Sequence, residues 1–250
     1  MNTIRFGSEH LPLNVLPGDS LAAREPLDDI PAWSIAEFSR RLHQAGFGRF
    51  LDRGKPLVVV NDAFRPTPTG RVLAAIRETY PDFRADFIVA CGNHPAPHPD
   101  EIESIFAGYA IPDDSRLFFH DAHDLRAMVP AGIVDGQPIH LNRILFDYPA
   151  VIVIGSVEPH YFAGFTGGRK SLIPGLCDEQ TTRRNHALAV SPAAQPLRLA
   201  GNPVAGHLDR VMAAVTWPPL FSIQLVTGRD QTPLDCFCGD LAASFAEAVA

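Results

Sequence analysis

Three short apolar runs, each followed by a cluster of polar residues, recur along the chain. They occupy residues 57–60, 87–90 and 151–154. Continuous apolar runs of this length are typical of strands that are buried on both faces, as in parallel sheets. Apolar residues at helical spacing fill the segments around 69–79 and 99–107. This alternation predicts an α/β protein with a doubly wound, mostly parallel sheet and helices on both faces.

The flanking segments carry weaker patterns. Residues 1–30 predict one or two strands and a loop, and Ser34 with Glu37 predicts a capping box that opens the first helix. After residue 200 the pattern changes: a helix is expected from Asn202 to about Val215, then a strand over 221–226 and a final helix from about residue 240. We therefore predict one domain over residues 1–200, and over 201–250 a linker helix with an incomplete or shortened second α/β domain.

Charge and composition exclude several classes of protein. The 21 basic and 28 acidic residues give a net charge of −7, which argues against a nucleic-acid-binding surface. No run of 18 apolar residues is present, and the first residues lack the apolar segment of a signal peptide. The four cysteines are scattered and lack the C-x-x-C spacing of zinc or redox sites. A reduced, cytoplasmic protein without a membrane partner is expected.

Four polar residues follow the predicted strands directly: Asp62, Arg65, His94 and His160. Ligands of open α/β sheets bind beyond the carboxyl ends of the strands, so these side chains are expected to share one rim. Histidine exchanges protons near neutral pH, and the pair His94 and His160 is therefore a candidate for general acid–base catalysis.

The segment 160–171 combines glycines with Arg169, Lys170 and Ser171. Glycines let the backbone approach a ligand closely, and the basic residues suit a phosphate. The spacing does not match G-x-x-x-x-G-K-[ST], which argues against a nucleoside triphosphatase. No histidine spacing marks a zinc site, so a zinc-dependent hydrolase is a weaker alternative. His186 falls in a predicted helix.

Taken in order, these motifs resemble the nickel-pincer lactate racemase family. The resemblance covers nearly the whole chain and is looser after about residue 200. It rests on Asp62-x-x-Arg65-Pro66, Gly92-Asn93-His94, His160-Tyr161-Phe162-x-Gly164-x-x-Gly167-Gly168-x-Lys170, Pro174-Gly175 and Asn185-His186.

The resemblance implies a nickel pincer nucleotide, a pyridinium-3,5-bisthiocarboxylate mononucleotide, as cofactor. Lys170 would hold it covalently, His186 would be the protein ligand to nickel, and the loop Asp62-Ala63-Phe64-Arg65 would bind the nucleotide. Soft ligands supplied by the cofactor suit planar Ni(II). Proteins that synthesise the cofactor would then be partners.

The implied reaction is racemisation or epimerisation of a 2-hydroxy acid similar to lactate. His94 and His160 would serve opposite faces of the 2-carbon while hydride passes to and from the cofactor, and Arg65 could hold the carboxylate. Phe64 departs from the pattern, in which a small hydroxylated residue is expected. The family also uses a second domain that contributes substrate-binding residues. The alternative is a non-catalytic nucleotide- or cofactor-binding module that lacks a full substrate domain.

Overall fold

The computed structural model describes residues 3–6, 9–12, 31–65, 67–228 and 231–250. The chain divides into two compact units, Met1–Ile30 and Pro31–Ala250. In the first unit, strands β1 (Thr3–Phe6) and β2 (Glu9–Pro12) pair antiparallel. The two strands agree with the one or two expected there, whereas the expected loop falls mostly on residues 13–30, outside the described residues.

The second unit contains the remaining strands and helices. Its strands are β3 (Leu57–Asn61), β4 (Asp86–Ala90), β5 (Leu117–Phe119), β6 (Met128–Val134), β7 (Gln137–Asn142), β8 (Val151–Ser156), β9 (Pro159–His160), β10 (Gly164–Phe165), β11 (Leu220–Thr227) and β12 (Pro233–Gly239). Its α-helices are α1 (Ile35–Gln44), α2 (Phe47–Leu51), α3 (Thr69–Thr79), α4 (Pro99–Ile105), α5 (Glu179–Ala187), α6 (Pro203–Ala214) and α7 (Leu241–Val249).

Six strands form the central sheet in the order β12-β11-β8-β3-β4-β5. The pairs from β11 to β5 are parallel, and only β12 runs antiparallel to its neighbour. Strands β3, β4 and β5 follow one another towards one edge of the sheet, whereas β8, β11 and β12 follow one another towards the other edge. The strand order therefore reverses between β3 and β8, which are neighbours. A site is expected at the carboxyl ends of strands at such a reversal.

Alternation along each strand divides the core into two layers. Val58 and Val60 pack on one face with helices α1 to α4, whereas Leu57 and Val59 pack on the other with β6, β7 and α6. Both faces are therefore covered, which accounts for the continuous apolar runs. The prediction of an α/β fold with a mostly parallel sheet is confirmed.

The capping box predicted at the start of α1 forms only in part. Ser34 caps α1 by accepting a hydrogen bond from the backbone N–H of Glu37. The carboxylate of Glu37 instead binds Arg40 and Arg41, so the reciprocal half of the expected capping box is replaced by ion pairs.

The domain boundary predicted at residue 200 does not separate two compact units. Strand β11 pairs with β8 in the central sheet, β12 extends the same sheet, and α7 packs against β11. Residues 201–250 belong to the unit that starts at Pro31. Within the described residues, no helix has the length and apolar character needed to cross a membrane.

Candidate active site

A cavity of about 310 Å³ lies at the carboxyl ends of β3, β4 and β8. Asp62 directly follows β3, His94 lies four residues after β4, and His160 ends β9, just beyond β8. The parallel register carries all three loops to one edge of the sheet. The lining includes six of the residues singled out in the sequence: Asp62, Arg65, His94, His160, Lys170 and His186.

The glycine-rich turn before Lys170 is shaped by close contacts. Gly167 and Gly168 have positive φ angles of 72° and 53°. A Cβ atom on Gly168 would lie 2.7 Å from the ring of Phe245, so no larger side chain fits without displacement. The backbone N–H of Gly168 donates to Oε1 of the fully buried Gln224 at 2.6 Å. These contacts fix the position from which Lys170 enters the cavity.

His94 and Asp62 form a carboxylate–imidazole pair. Nδ1 of His94 lies 2.6 Å from Oδ2 of Asp62. The carboxylate is buried and the imidazole is half exposed. A carboxylate accepts hydrogen bonds, so Nδ1 of His94 is the donor in this pair, and Nε2 is the ring nitrogen left for proton exchange. This arrangement suits a general base held by an acidic residue.

His160 has a different environment. The residue is 3% exposed, and its Nδ1 accepts hydrogen bonds from the backbone N–H groups of Phe162 at 3.3 Å and Ala163 at 3.2 Å. The proton of the neutral ring is therefore on Nε2, which lies 3.3 Å from Nζ of Lys170. Burial, reinforced by the positive charges of Lys170 and Arg65, lowers the pKa of His160 to about 3. His160 is thus neutral at physiological pH.

Lys170 lies in an apolar and cationic environment. Its Nζ is 5.5 Å from the centre of the Phe162 ring. Burial, together with the charges of Arg65 and Arg169, lowers the pKa of Lys170 to about 7. A lysine that is partly neutral at physiological pH can act as a nucleophile.

Helix α5 positions His186 at the same cavity. Asp178 caps the helix by accepting from the backbone N–H of Thr181, and Asn185 anchors it by donating to the carbonyl of Val204 in α6. The His186 ring centre is 5.1 Å from that of Phe162. Burial and the nearby Lys170 charge lower the pKa of His186, which keeps the ring neutral and able to bind a metal.

Two residues of the predicted cofactor loop do not line this cavity. Ala63 lines a neighbouring cavity of about 250 Å³, which shares Asn61 and Asp62 with the first. Phe64 is 60% exposed, and its ring centre lies 4.4 Å from that of His94. Phe64, which stands where a small hydroxylated residue is expected, therefore places an exposed aromatic ring beside a candidate catalytic histidine.

The polar residues that hold the loops around the cavity were not predicted from the sequence. Gln224 holds the Gly168 turn, and Ser171 donates to Oδ1 of Asn61 at 3.0 Å, joining this turn to the end of β3. The interruption of the apolar run 221–226 by Ser222 and Gln224 was the available signal. A polar residue in a buried strand usually has a specific hydrogen-bonding partner.

Metal-binding chemistry in the cavity is limited to isolated donors. Among the described residues, no group of three or more His, Cys, Asp or Glu side chains could hold a metal ion. Burial raises the pKa of Cys91, which also lines the cavity, to about 12, so its thiol is protonated. This donor set disfavours a zinc hydrolase. It fits a metal whose other ligands arrive with a cofactor.

Comparison with known proteins identifies related chains. The profile of the lactate racemase N-terminal domain matches residues 42–196. A lactate racemase from Lactiplantibacillus plantarum is 33% identical over 204 residues, which is 78% of this chain and 47% of that protein. One from Thermoanaerobacterium thermosaccharolyticum is 27% identical over 198 residues, covering 76% and 46%. The chain spans about half the length of the curated relatives it matches.

Solved structures support the fold. The lactate racemase apoprotein from T. thermosaccharolyticum superposes with a TM-score of 0.77 at 22% identity, over 99% of this chain and 60% of that one. A Thermotoga maritima protein superposes with a TM-score of 0.70 at 21% identity, over 90% of this chain and 59% of that one.

Proposed function

The chain belongs to the lactate racemase N-terminal domain family, and we propose that it racemises or epimerises a lactate-like 2-hydroxy acid with a nickel pincer nucleotide. The observation that carries this proposal is the convergence of Lys170, His186, His94 and His160 on one cavity. These residues come from separate segments of the chain, and they supply a nucleophile, a metal ligand and two proton-transfer groups.

The residues present fit the cofactor. Lys170 would hold it through its amine, which is partly neutral, and His186 would bind nickel through a neutral imidazole. A single protein ligand is sufficient because the pincer carries its own sulfur and carbon ligands. When bound, the cofactor supplies the acceptor and donor of hydride at the 2-carbon. The phosphate would be favoured by the positive charge of Arg65.

Proton transfer would start from two histidines in different states. His94 is oriented to take the hydroxyl proton at Nε2, because Asp62 holds Nδ1–H and stabilises the charged ring that forms. His160 presents Nε2–H and acts first as a hydrogen-bond donor. To serve the mirror-image substrate as a base, His160 must give up its contacts with the backbone N–H groups of residues 162 and 163.

Substrate binding would depend on charge. Arg65 lines the same cavity as both histidines, and a guanidinium group can bind a carboxylate through two parallel hydrogen bonds. The exposed ring of Phe64 offers an apolar contact for the substituent at the 2-carbon. The cofactor-synthesis proteins expected as partners and the cytoplasmic location remain predictions.

The first experiment tests the cofactor. Protein is made in cells that carry the cofactor pathway and analysed by intact mass, peptide mapping and nickel content. A modified Lys170 with one nickel per chain is expected, and His186→Ala should retain the modification while losing nickel. An unmodified Lys170 without nickel would contradict the proposal.

The second experiment tests the acid–base pair with a 2-hydroxy acid deuterated at the 2-carbon. His94→Ala and His160→Ala should each lose racemisation by roughly a hundredfold or more, whereas His123→Ala, an exposed histidine outside the cavity, should not. Full activity in both cavity variants would disprove the acid–base assignment. Binding of the acid without racemisation by the parent protein would favour the cofactor-binding module instead.

A further inference from the structure

Lys170 is one of only two lysines in the 250-residue chain, in which arginine supplies the other 19 of 21 basic residues. The second lysine, Lys55, has an ordinary ion-paired environment. Its Nζ lies 2.6 Å from Oδ1 of the buried Asp86 and donates to the carbonyl of Asp114 at 2.9 Å. Among the described residues, no carboxylate oxygen lies within 4 Å of Nζ of Lys170. The two amines are therefore in opposite electrostatic settings.

Hydrogen bonding around His160 indicates the protonation state of Lys170. Two backbone N–H groups point at Nδ1 of His160, so that atom has no proton. The ring proton is then on Nε2, and its partner is Nζ of Lys170 at 3.3 Å. An N–H group needs an acceptor, and an ammonium group has no lone pair to offer. This geometry therefore favours the neutral amine of Lys170.

The charges around Lys170 favour the same state. Burial and the repulsion by Arg65 and Arg169 disfavour a charged ammonium group, and they outweigh the weak attraction of the Phe162 ring 5.5 Å away. With a pKa of about 7, roughly half of the Lys170 amines are neutral at pH 7, against about one part in a few thousand for an ordinary lysine. Arg65 lines the same cavity, within which a carboxylate can be bound.

We propose that Lys170, in the chain without an attached cofactor, forms an imine with 2-oxo acids. The lone pair of Nζ attacks the ketone carbon and forms a C–N bond, while one of the two amine protons passes to the former carbonyl oxygen. The second amine proton then passes to the same oxygen, which leaves as water, and a C=N bond forms with no change in oxidation state. Nε2–H of His160 is positioned to hydrogen-bond to the departing oxygen while keeping its proton, and Arg65 to bind the carboxylate. This inference rests on the geometry of the site and does not require the proposed racemase activity.

The test uses the full chain produced without the cofactor pathway. It is incubated at neutral pH with pyruvate and cyanoborohydride, which reduces an imine to a stable secondary amine. Peptide mapping by mass spectrometry then reports labelling at Lys170, Lys55 and the α-amine separately. Lys170 is expected to be labelled at least about tenfold faster than Lys55, because far more of its amine is neutral.

Matched variants define the origin of the label. Lys170→Arg should abolish labelling at that site, and Lys55→Arg, which keeps a cation beside Asp86, should leave labelling of Lys170 unchanged. Equal labelling of both lysines, or no label on Lys170 in protein with a normal circular dichroism spectrum, would overturn the proposal.

Propanal, an aldehyde without a carboxylate, tests the class of ligand. Arg65→Gln should slow labelling by pyruvate about tenfold more than labelling by propanal, because only pyruvate loses a charge-assisted hydrogen bond, whereas the rise in the pKa of Lys170 that follows loss of the Arg65 charge affects both reagents. If Arg65→Gln slows both reagents equally, or neither, the assignment of 2-oxo acids is wrong. The result is independent of racemisation, since the cofactor is absent throughout.

Discussion

Stability at mildly acidic pH should depend on His120, a buried histidine outside the cavity. Its ring is completely buried. Nε2–H donates to the carbonyl of Cys177 at 2.9 Å, and Nδ1 accepts from Nδ2 of Asn142 at 3.2 Å. The amide of Asn142 cannot turn freely, because its Oδ1 accepts from the backbone N–H of Ile144. A second proton on His120 would therefore face an N–H donor in a buried site.

The size of the loss in unfolding free energy at acidic pH follows from the pKa of the His120 ring. Burial lowers the pKa of His120 from 6.5 to about 4. Between these values the unfolded chain binds the proton and the folded protein does not, so the free energy of unfolding falls as the pH falls. The loss begins below pH 6.5 and is complete near pH 4. At about 1.4 kcal/mol for each unit, it reaches roughly 3 kcal/mol.

Urea unfolding, followed by circular dichroism across this pH range, measures the effect. His120→Gln should lower the free energy of unfolding at neutral pH by roughly 1–3 kcal/mol, because it disturbs two buried hydrogen bonds. Its stability should then fall less steeply with acid than that of the parent protein. His43→Gln, at an exposed histidine, is the control and should follow the parent curve. Parallel curves for the parent and His120→Gln between pH 6.5 and 4 would refute the reasoning.

Three further changes test other parts of the structure. Gly168→Ala places a methyl group against Phe245 at a positive φ angle. The free energy of unfolding, measured with urea, should fall by roughly 1–3 kcal/mol, and labelling of Lys170 by pyruvate should also fall. Asp86→Asn removes a buried carboxylate that binds two cations and a tyrosine hydroxyl. The free energy of unfolding should fall by roughly 2–3 kcal/mol in the same assay, and an unchanged free energy would contradict this expectation. Asp62→Asn should slow racemisation of a deuterated 2-hydroxy acid by about a hundredfold, and a rate equal to that of the parent would show that His94 does not need its carboxylate.

The central strands were predictable because their signal is local. The run 57–60 is apolar at every position, and the structure buries all of it, with helices α1 to α4 on one face and with β6, β7 and α6 on the other. The same holds for 151–154. Strand β12 was missed because it lies at the sheet edge, where one side is open and the sequence Leu-Asp-Cys-Phe-Cys carries no clear period. Its inclusion in the sheet depends on pairing with β11, which no local pattern records.

Part of the site was also predictable, since residues that follow parallel strands meet at one edge. That rule placed Asp62, His94 and His160 at the same rim. It could not indicate that Asp62 binds His94, because the hydrogen bond joins residues 32 positions apart and depends on the conformations of two loops. The boundary expected at residue 200 failed for a related reason. A change of pattern along the chain does not show whether the next strand starts a new sheet or joins the existing one.

The two candidate catalytic histidines illustrate how environment determines the role of a residue. In the sequence, both are histidines near the end of a buried strand, and both are equally suited to proton transfer. In the folded protein, a carboxylate faces Nδ1 of His94, whereas two N–H donors face Nδ1 of His160. The first arrangement leaves Nε2 able to accept a proton, and the second places a proton there. Chemical asymmetry within the pair therefore comes from the backbone turn at residues 160–163 and from Asp62, and not from the histidines themselves.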